Sequence, residues 1–276
     1  MTKVATIALA ASLGAALVGY LFWWQVEGGS APGQHPEQTV AASAPAAPTP
    51  APASSAPAIL HPVPAVAAPS AAVTAGFDEA LINLFGHPSM ASLLRTDNFA
   101  YRFVATIDNL GRVSAPAGVW PVNPAKGRFE TLDTAKGEVV QPDNALRYVP
   151  YVLLLEQVDL RKAFQIYAQH YPALQRKFEE LGFPQRYFND RFIDVLDQLL
   201  ATPEGASPLH VHRPVINGVQ PTRPRLLYEF DDPALQSLSA GQRILLRMGP
   251  VNERRVKGRL AELRRLLAAD TKEVTR

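Results

Sequence analysis

The chain has 276 residues, of which 47% are hydrophobic and 19% are charged, and its formal net charge is +2. It contains no cysteine, which excludes a disulfide framework, a cysteine nucleophile and a lipid-modified N-terminal cysteine. The near balance of charge over the whole chain hides a basic C-terminal segment, described below.

An apolar run of roughly twenty residues extends from Val4 to Trp24, which is the length that a helix needs to cross a bilayer. A cleaved signal peptide, the alternative, would have a shorter run that ends in small residues. This run ends in aromatic residues that include Trp23 and Trp24, and such rings suit a membrane interface. We therefore predict an uncleaved transmembrane anchor within residues 1–27.

Charge predicts the orientation of this anchor. Lys3 precedes the apolar run, Glu27 follows it, and the next basic residue is Arg95. Positively charged flanks stay in the cytoplasm. The sequence therefore predicts a single-pass protein of the bacterial inner membrane, with a cytoplasmic N-terminus and a periplasmic domain. An exported domain would rarely meet nucleic acid, so we expect no nucleic-acid partner.

Residues 28–75 are rich in alanine and proline and nearly free of charge. Proline fixes φ and lacks a backbone donor, so neither helix nor sheet can propagate. The segment also has too few large apolar side chains to offset the entropy of ordering. We predict a disordered spacer, with a reach on the order of 40 Å as a flexible coil.

Residues 76–276 are expected to form one globular domain. Asp97 is the predicted N-cap of a helix that ends at Gly111, and residues 115–124, rich in proline, should be extended or turning. Residues 128–133 and 138–141 flank a short turn, which predicts a β-hairpin.

Helical patterns then follow closely. We predict a helix that opens at Pro150, a second capped by Asp159, a third that begins at Pro172 and ends at Gly182, and a fourth from about Tyr187 to Ala201.

Residues 209–212 and 225–230 read as two short strands. Ser239 should cap the next helix, Gly249 and Pro250 break it, and a last helix follows from about Asn252. The predicted fold class is mainly α with a small β element.

Four strings in this domain resemble a known family. They are residues 103–110 (FVATIDNL), 147–152 (RYVPYV), 187–204 (YFNDRFIDVLDQLLATPE) and 238–250 (LSAGQRILLRMGP). They are similar to the domain of unknown function 3014, an uncharacterised family of membrane-anchored proteins from Gram-negative bacteria. The resemblance implies an inner-membrane anchor, a Pro/Ala tether and an envelope-facing domain of unknown activity. It supplies no catalytic residues that could be assigned to this chain, and it leaves the function open.

Two groups of residues are candidates for chemistry. His210 and His212 would share one face of a strand, because side chains alternate with period two. Asp190 and Asp194 lie one turn apart on the fourth helix. Together they are candidate catalytic residues of a periplasmic hydrolase or a metal-dependent enzyme. The alternatives are surface histidines, a solvated helix face, and N-capping by Asn189 or Asp190.

Basic residues outnumber acidic ones from Arg243 onward. The last helix combines an apolar stripe with basic residues, a pattern that suits anionic surfaces or partner helices. Its predicted binding residues are Arg254, Arg255, Lys257, Arg264 and Arg265. The alternative is a terminal helix docked on the core, with its basic face opposite the aspartates of the fourth helix.

The usual motifs for nucleophiles, nucleotides and catalytic zinc are missing from the sequence. We therefore favour a non-enzymatic function while leaving enzymatic activity open, and we predict no cofactor and no metal. The leading expectation is a tethered domain that binds an envelope protein or cell-wall polymer. The alternatives are the periplasmic hydrolase and a self-associating scaffold, a homo-oligomer formed through the last helix.

Overall fold

The structure is a computed structural model that describes residues 58–64, 76–85, 93–204, 208–215 and 228–268. The predicted anchor and most of the predicted spacer lie outside these residues. Within the described part of the chain, no helix is both long and apolar enough to cross a membrane.

Eight α-helices and four short strands make up the described part of the domain. The helices are α1 (Phe77–Phe85), α2 (Phe99–Leu110), α3 (Val149–Gln157), α4 (Leu160–Glu180), α5 (Phe188–Leu200), α6 (Pro233–Gln236), α7 (Ala240–Arg247) and α8 (Pro250–Ala268). The strands are β1 (Thr131–Thr134), β2 (Gly137–Val140), β3 (Val211–His212) and β4 (Glu229–Phe230), and 3₁₀ turns span Ala117–Val119 and Pro142–Tyr148. A mainly α fold with a small β element is confirmed.

Helix α5 is the centre of the main core and packs against α2, α4, α7 and α8. Its Phe188 ring is fully buried. The ring centroid lies 5.6 Å from that of Phe178, 5.9 Å from that of Phe192 and 6.1 Å from that of Phe103. Such aromatic pairs add about 1 kcal/mol each beyond the burial of area. The start of α5 therefore locks α2 and α4 together.

The β element sits beside this core. β1 and β2 form the predicted antiparallel hairpin, in which Thr131 pairs with Val140. β3 and β4 form a second antiparallel pair, and an isolated bridge between Val139 and His210 joins the two pairs. Val211 and Phe230 are buried against α7.

The predicted break at Pro172 is wrong, because α4 runs without interruption from Leu160 to Glu180. Asp159 caps its first turn as expected, since its side chain accepts from the backbone N–H groups of Arg161 and Lys162. Pro172 is exposed and removes one backbone donor on the outer face. The buried face continues past it, so packing outweighs the lost hydrogen bond.

The predicted N-cap at Asp97 is also wrong. The residue that precedes α2 is Asn98, in the left-handed region with φ 57°, and its side chain makes no capping hydrogen bond. Asp97 instead pairs with Arg102. The carboxylate that accepts from the first turn of α2 belongs to Asp78 in α1, whose oxygens lie 3.2 Å from the Phe99 nitrogen and 3.0 Å from the Ala100 nitrogen.

Replacing Asp78 with alanine should therefore lower the free energy of unfolding by about 1 kcal/mol, as the loss of a helix cap does. Asp97→Ala removes the carboxylate that the sequence predicted and should change stability less, since Asp97 is mostly exposed. Urea denaturation of both variants measures the difference. Equal losses in the two variants would show that α1 does not cap α2.

Gly241 lies at a close approach of α7 to α2 and α5. A Cβ atom at this position would lie 2.5 Å from the Leu199 Cδ2 atom and 3.0 Å from the Leu110 carbonyl oxygen. A Cβ atom added to Gly258 in α8 would have no neighbouring atom within 4 Å. The two helical glycines therefore differ in the space that a methyl group would find.

We expect Gly241→Ala to destabilise the domain by about 1–3 kcal/mol through overpacking. Gly258→Ala should stabilise it by up to about 1 kcal/mol, the helix-propensity difference. Thermal unfolding of the two single variants checks the opposite signs. A gain in stability for Gly241→Ala would mean that α7 can move away from α5 at no cost.

Candidate functional site

A largely apolar cavity of about 1090 Å³ is the candidate site. Side chains of α1, α2, α3 and α7 line it, together with residues between 113 and 125. Phe103, Trp120, Val122, Tyr151 and Ile244 are among them. A cavity of this size and composition suits an apolar ligand or an apolar part of a larger one.

The wall that contains Trp120 is held in place by backbone hydrogen bonds. The Arg95 nitrogen donates to the Pro121 oxygen at 2.8 Å, and the Asn123 nitrogen donates to the Leu93 oxygen at 2.8 Å. The Trp120 indole donates to the Ala115 oxygen at 3.1 Å. The prediction that residues 115–124 are extended or turning is confirmed, since a 3₁₀ turn at Ala117–Val119 lies within this segment.

Helix α7 presents two arginines to the cavity. Ser239 and Gln242 form a capping box at its start, which confirms the predicted cap. Arg243 and Arg247, both of which line the cavity, are four residues apart and share one helix face. The Arg243 guanidinium donates to the carbonyls of Gln236 and Val113, and its Nε atom is buried without a hydrogen-bond partner among the described residues.

Arg247 is held by neutral groups. Its Nη2 atom donates to the Tyr228 carbonyl at 2.7 Å, and its guanidinium lies 4.8 Å from the Phe230 ring centroid. Burial lowers the pKa of Arg247, and the positive charge of Arg243 lowers it further. Two cations in an apolar wall repel each other, and a bound anion would relieve both costs.

Arg147 is a third cation in the lining. Its Nε atom donates to the Lys126 carbonyl at 3.1 Å. The arginine ion pairs within the described part of the chain involve other arginines, so Arg147, Arg243 and Arg247 have no carboxylate partner there. Among the described residues, the lining also includes the carboxylate of Glu229, which lies 3.8 Å from His212 and pairs with none of these arginines. The cavity therefore combines an apolar interior with three arginines that have no carboxylate partner in the described part of the chain.

These three arginines are not among the site residues that the sequence predicts. The four-residue spacing of Arg243 and Arg247 can be read from the sequence. The arginines of α8 lie in similar sequence surroundings, however, so spacing alone does not distinguish the two groups. Only the tertiary contacts show which arginines have carboxylate partners.

The histidine candidates lie on the β element. His212 is half exposed, and its Nδ1 atom lies 2.7 Å from an oxygen of Asp231. Its Nε2 atom lies 3.8 Å from an oxygen of Glu229. His210 pairs with Val139 through the backbone. No group of three potential metal-binding side chains occurs among the residues that the structure describes.

The aspartate candidates lie on α5. Asp190 accepts hydrogen bonds from the backbone nitrogens of Leu60 and His61, at 3.1 Å and 2.8 Å. The expected capping by Asn189 or Asp190 is wrong, because the N-cap is Tyr187 and no side chain bonds there. Asp194 is exposed. The contacts of Asp190 do not include either histidine, and a joint catalytic role stays a prediction.

Three of the five basic residues predicted to bind a partner already have partners within the domain. Arg255 pairs with both oxygens of Glu156, Lys257 donates to the Thr202 carbonyl, and Arg264 pairs with Asp197. Arg254 and Arg265 are exposed. The apolar stripe of α8 packs into the core, where Val256 and Leu267 are buried. The predicted binding surface and the predicted self-association stay untested.

A match to a family model identifies the family of this chain. The fold and the cavity define a mainly helical domain with a small β element and an arginine-containing apolar site. The chain belongs to DUF3014, described as a protein of unknown function, and the match covers residues 99–264. Comparison with curated proteins and with solved structures found no match.

The Arg264–Asp197 pair makes a pH-dependent prediction. The hydrogen bond from Arg264 lowers the pKa of Asp197 below its usual value. A carboxylate of this kind stabilises the fold above its unfolded-state pKa, and the stabilisation is lost as pH falls through the folded-state pKa.

Arg264→Ala should therefore lower the free energy of unfolding by about 0.5 kcal/mol at pH 7, a small loss because the pair is largely exposed. The loss should become smaller as the pH falls below the usual pKa range of aspartate. Denaturant unfolding between pH 2 and pH 7 measures this, with Arg265→Ala as the control. A constant difference across the range would show that Arg264 acts other than through Asp197.

Proposed function

We propose that this chain is a non-catalytic binding protein of the Gram-negative envelope. Residues 1–27 would anchor it in the inner membrane, and its domain would stand in the periplasm. The domain would bind an apolar segment of a partner protein that also has an acidic group. The observation that supports this most directly is the apolar cavity, whose wall contains arginines that have no carboxylate partner among the residues that the structure describes.

The lining favours a protein segment over a cell-wall glycan. Trp120, Phe103 and the aliphatic side chains offer few hydrogen-bonding groups, whereas a glycan would bury many hydroxyls that need them. Apolar anchors of a peptide or helix gain most in such a groove.

The arginines of the cavity would recognise the acidic group of the partner. The Nε–H group of Arg243 is buried and has no acceptor within the described part of the chain, and burial has removed much of the hydration of Arg247. An acidic side chain placed between them would accept charge-assisted hydrogen bonds, which are stronger than neutral ones. The domain should therefore prefer an apolar anion to its uncharged counterpart.

A pair of fluorescent probes tests this preference. 8-Anilinonaphthalene-1-sulfonate has the fused rings of N-phenyl-1-naphthylamine and adds a sulfonate. We expect the purified full-length chain to bind the sulfonate about tenfold more tightly at a single saturable site, the scale of one charge-assisted hydrogen bond. Arg247→Met should remove that preference and leave the affinity for the uncharged probe nearly unchanged.

Arg254→Met is the matched control, because Arg254 lies on the exposed face of α8 and does not line the cavity. It should leave both affinities unchanged. An equal loss of sulfonate binding in Arg254→Met would move the site to the C-terminal helix. Equal binding of the two probes by the wild-type chain would overturn the assignment of an anion site.

The same variant tests binding of the natural partner in cells. A photoreactive amino acid at Val113, an exposed cavity residue, should form a protein adduct in the envelope of a Gram-negative host. Arg247→Met should reduce that adduct severalfold. The same label at Leu146, which is exposed and outside the lining, should form none. Adducts that are equal at both positions, or unaffected by Arg247→Met, would contradict the proposal.

A further inference from the structure

Part of the predicted spacer lies on the folded domain. Residues 58–64 fall within the segment 28–75, for which the sequence predicts disorder, yet they contact the start of α5. They form neither helix nor strand. The contacts are polar at Leu60 and His61 and apolar at Val63, which packs against the main core.

The polar contacts recognise the peptide backbone. The His61 N–H donates to an Asp190 oxygen at 2.8 Å, and the His61 carbonyl accepts from the Asn189 amide at 2.9 Å. The second Asp190 oxygen accepts from the Leu60 N–H at 3.1 Å. Two consecutive side chains of α5 therefore satisfy both the donor and the acceptor of one backbone residue, as a neighbouring strand would.

The side-chain amide of Asn189 is held in place by contacts other than those with the segment. Asn189 is 1% exposed, and its Oδ1 atom accepts a hydrogen bond from the Tyr167 hydroxyl at 2.9 Å. Its nitrogen also donates to the Leu267 carbonyl at 3.3 Å. These contacts set the orientation of the amide and leave one N–H for a peptide carbonyl, so the binding geometry is built into the core.

The chemistry of the segment fits this arrangement. Pro62 and Pro64 flank Val63 and have restricted φ, so ordering this short stretch costs less entropy than ordering other residues. Proline also lacks a backbone N–H, so Pro64 can be buried without leaving a donor unpaired. The Leu60 side chain is 71% exposed and adds little to the contact.

We infer that the amino-terminal end of α5 is a peptide-docking site, whose ligand is the proline-containing segment 58–64 of the same chain. Docking divides the predicted spacer, so that residues 28–57 alone would link the predicted anchor to the domain. If residues 28–57 are the flexible coil that the sequence predicts, they would reach about 30 Å, against about 40 Å for the whole spacer. The docked segment would therefore shorten the distance that the domain can reach from the predicted anchor.

Site-specific cross-linking of the full-length chain tests this docking. The natural sequence has no cysteine, so a double variant offers one pair of thiols. Leu60→Cys with Asp194→Cys places thiols next to the docking site, since Leu60 contacts Asp190 and Asp194 is one helical turn away. A short bismaleimide should link the two within one chain in most molecules.

Leu60→Cys with Val251→Cys is the control. Val251 is 59% exposed and lies in the first turn of α8, about 24 Å along the helix axis from Leu267, which contacts Asn189. This pair should not be linked by the same reagent. Adding Asp190→Ala to the first pair should lower the ratio of linked to unlinked chains about tenfold, because two hydrogen bonds are lost.

Mixing ordinary and ¹⁵N-labelled chains before the reaction separates the outcomes. Cross-linked peptides of uniform isotope content, found only for the pair at positions 60 and 194, support docking within one chain. Peptides of mixed content would assign the site to a second copy and overturn the inference, as would equal yields for the two pairs. The comparison of the two pairs decides the matter even where Asp190→Ala fails to fold.

Discussion

The buried side chain of Asn189 is the constraint on which the arrangement of the core depends. Its amide and backbone contact the Tyr167 and Tyr171 hydroxyls of α4, the Leu267 carbonyl of α8 and the His61 carbonyl. Burying an amide is costly unless its hydrogen bonds are made. Burial raises the pKa of Tyr167, so its hydroxyl remains a donor. Helices α4, α5 and α8 and the segment 58–64 must therefore meet in one fixed arrangement around this side chain.

Helix α5 connects the surroundings of Asn189 to the cavity, because it packs against α4 at one end and against α7 at the other. Near its start it packs against α4 through Phe188, and towards its end Val195 and Leu199 pack with Leu245 of α7. Gly241 lets α7 approach α5 closely, and the same helix orients Arg243 and Arg247 into the cavity wall. The position of the arginines therefore depends on how tightly α7 is seated on α5, a property of packing and not of the arginines themselves.

The sequence predicted the features whose causes are local. Ser239 and Asp159 cap the helices that follow them, because a cap acts within three residues. Prediction from the sequence failed where the interacting partner is distant along the chain. Asp78 replaces Asp97 at the start of α2, and Asp190 binds a backbone segment 129 residues away in sequence instead of capping its own helix. A single sequence contains no signal for such pairings, so Asn189 and Asp190 read as ordinary capping residues.

The basic residues also show that local sequence and tertiary contacts give different information. The C-terminal helix has the densest basic sequence, yet Arg255, Lys257 and Arg264 are engaged by carboxylates or carbonyls of the domain. Helix α7 has only two arginines, and neither has a carboxylate partner among the described residues. An ion pair satisfied within the fold gains little from a further anion, whereas a partly buried cation held only by neutral groups gains a great deal. Charge that the fold leaves uncompensated is therefore a better guide to a binding site than charge density along the sequence, which is why the cavity and not the C-terminal helix supports the proposed function.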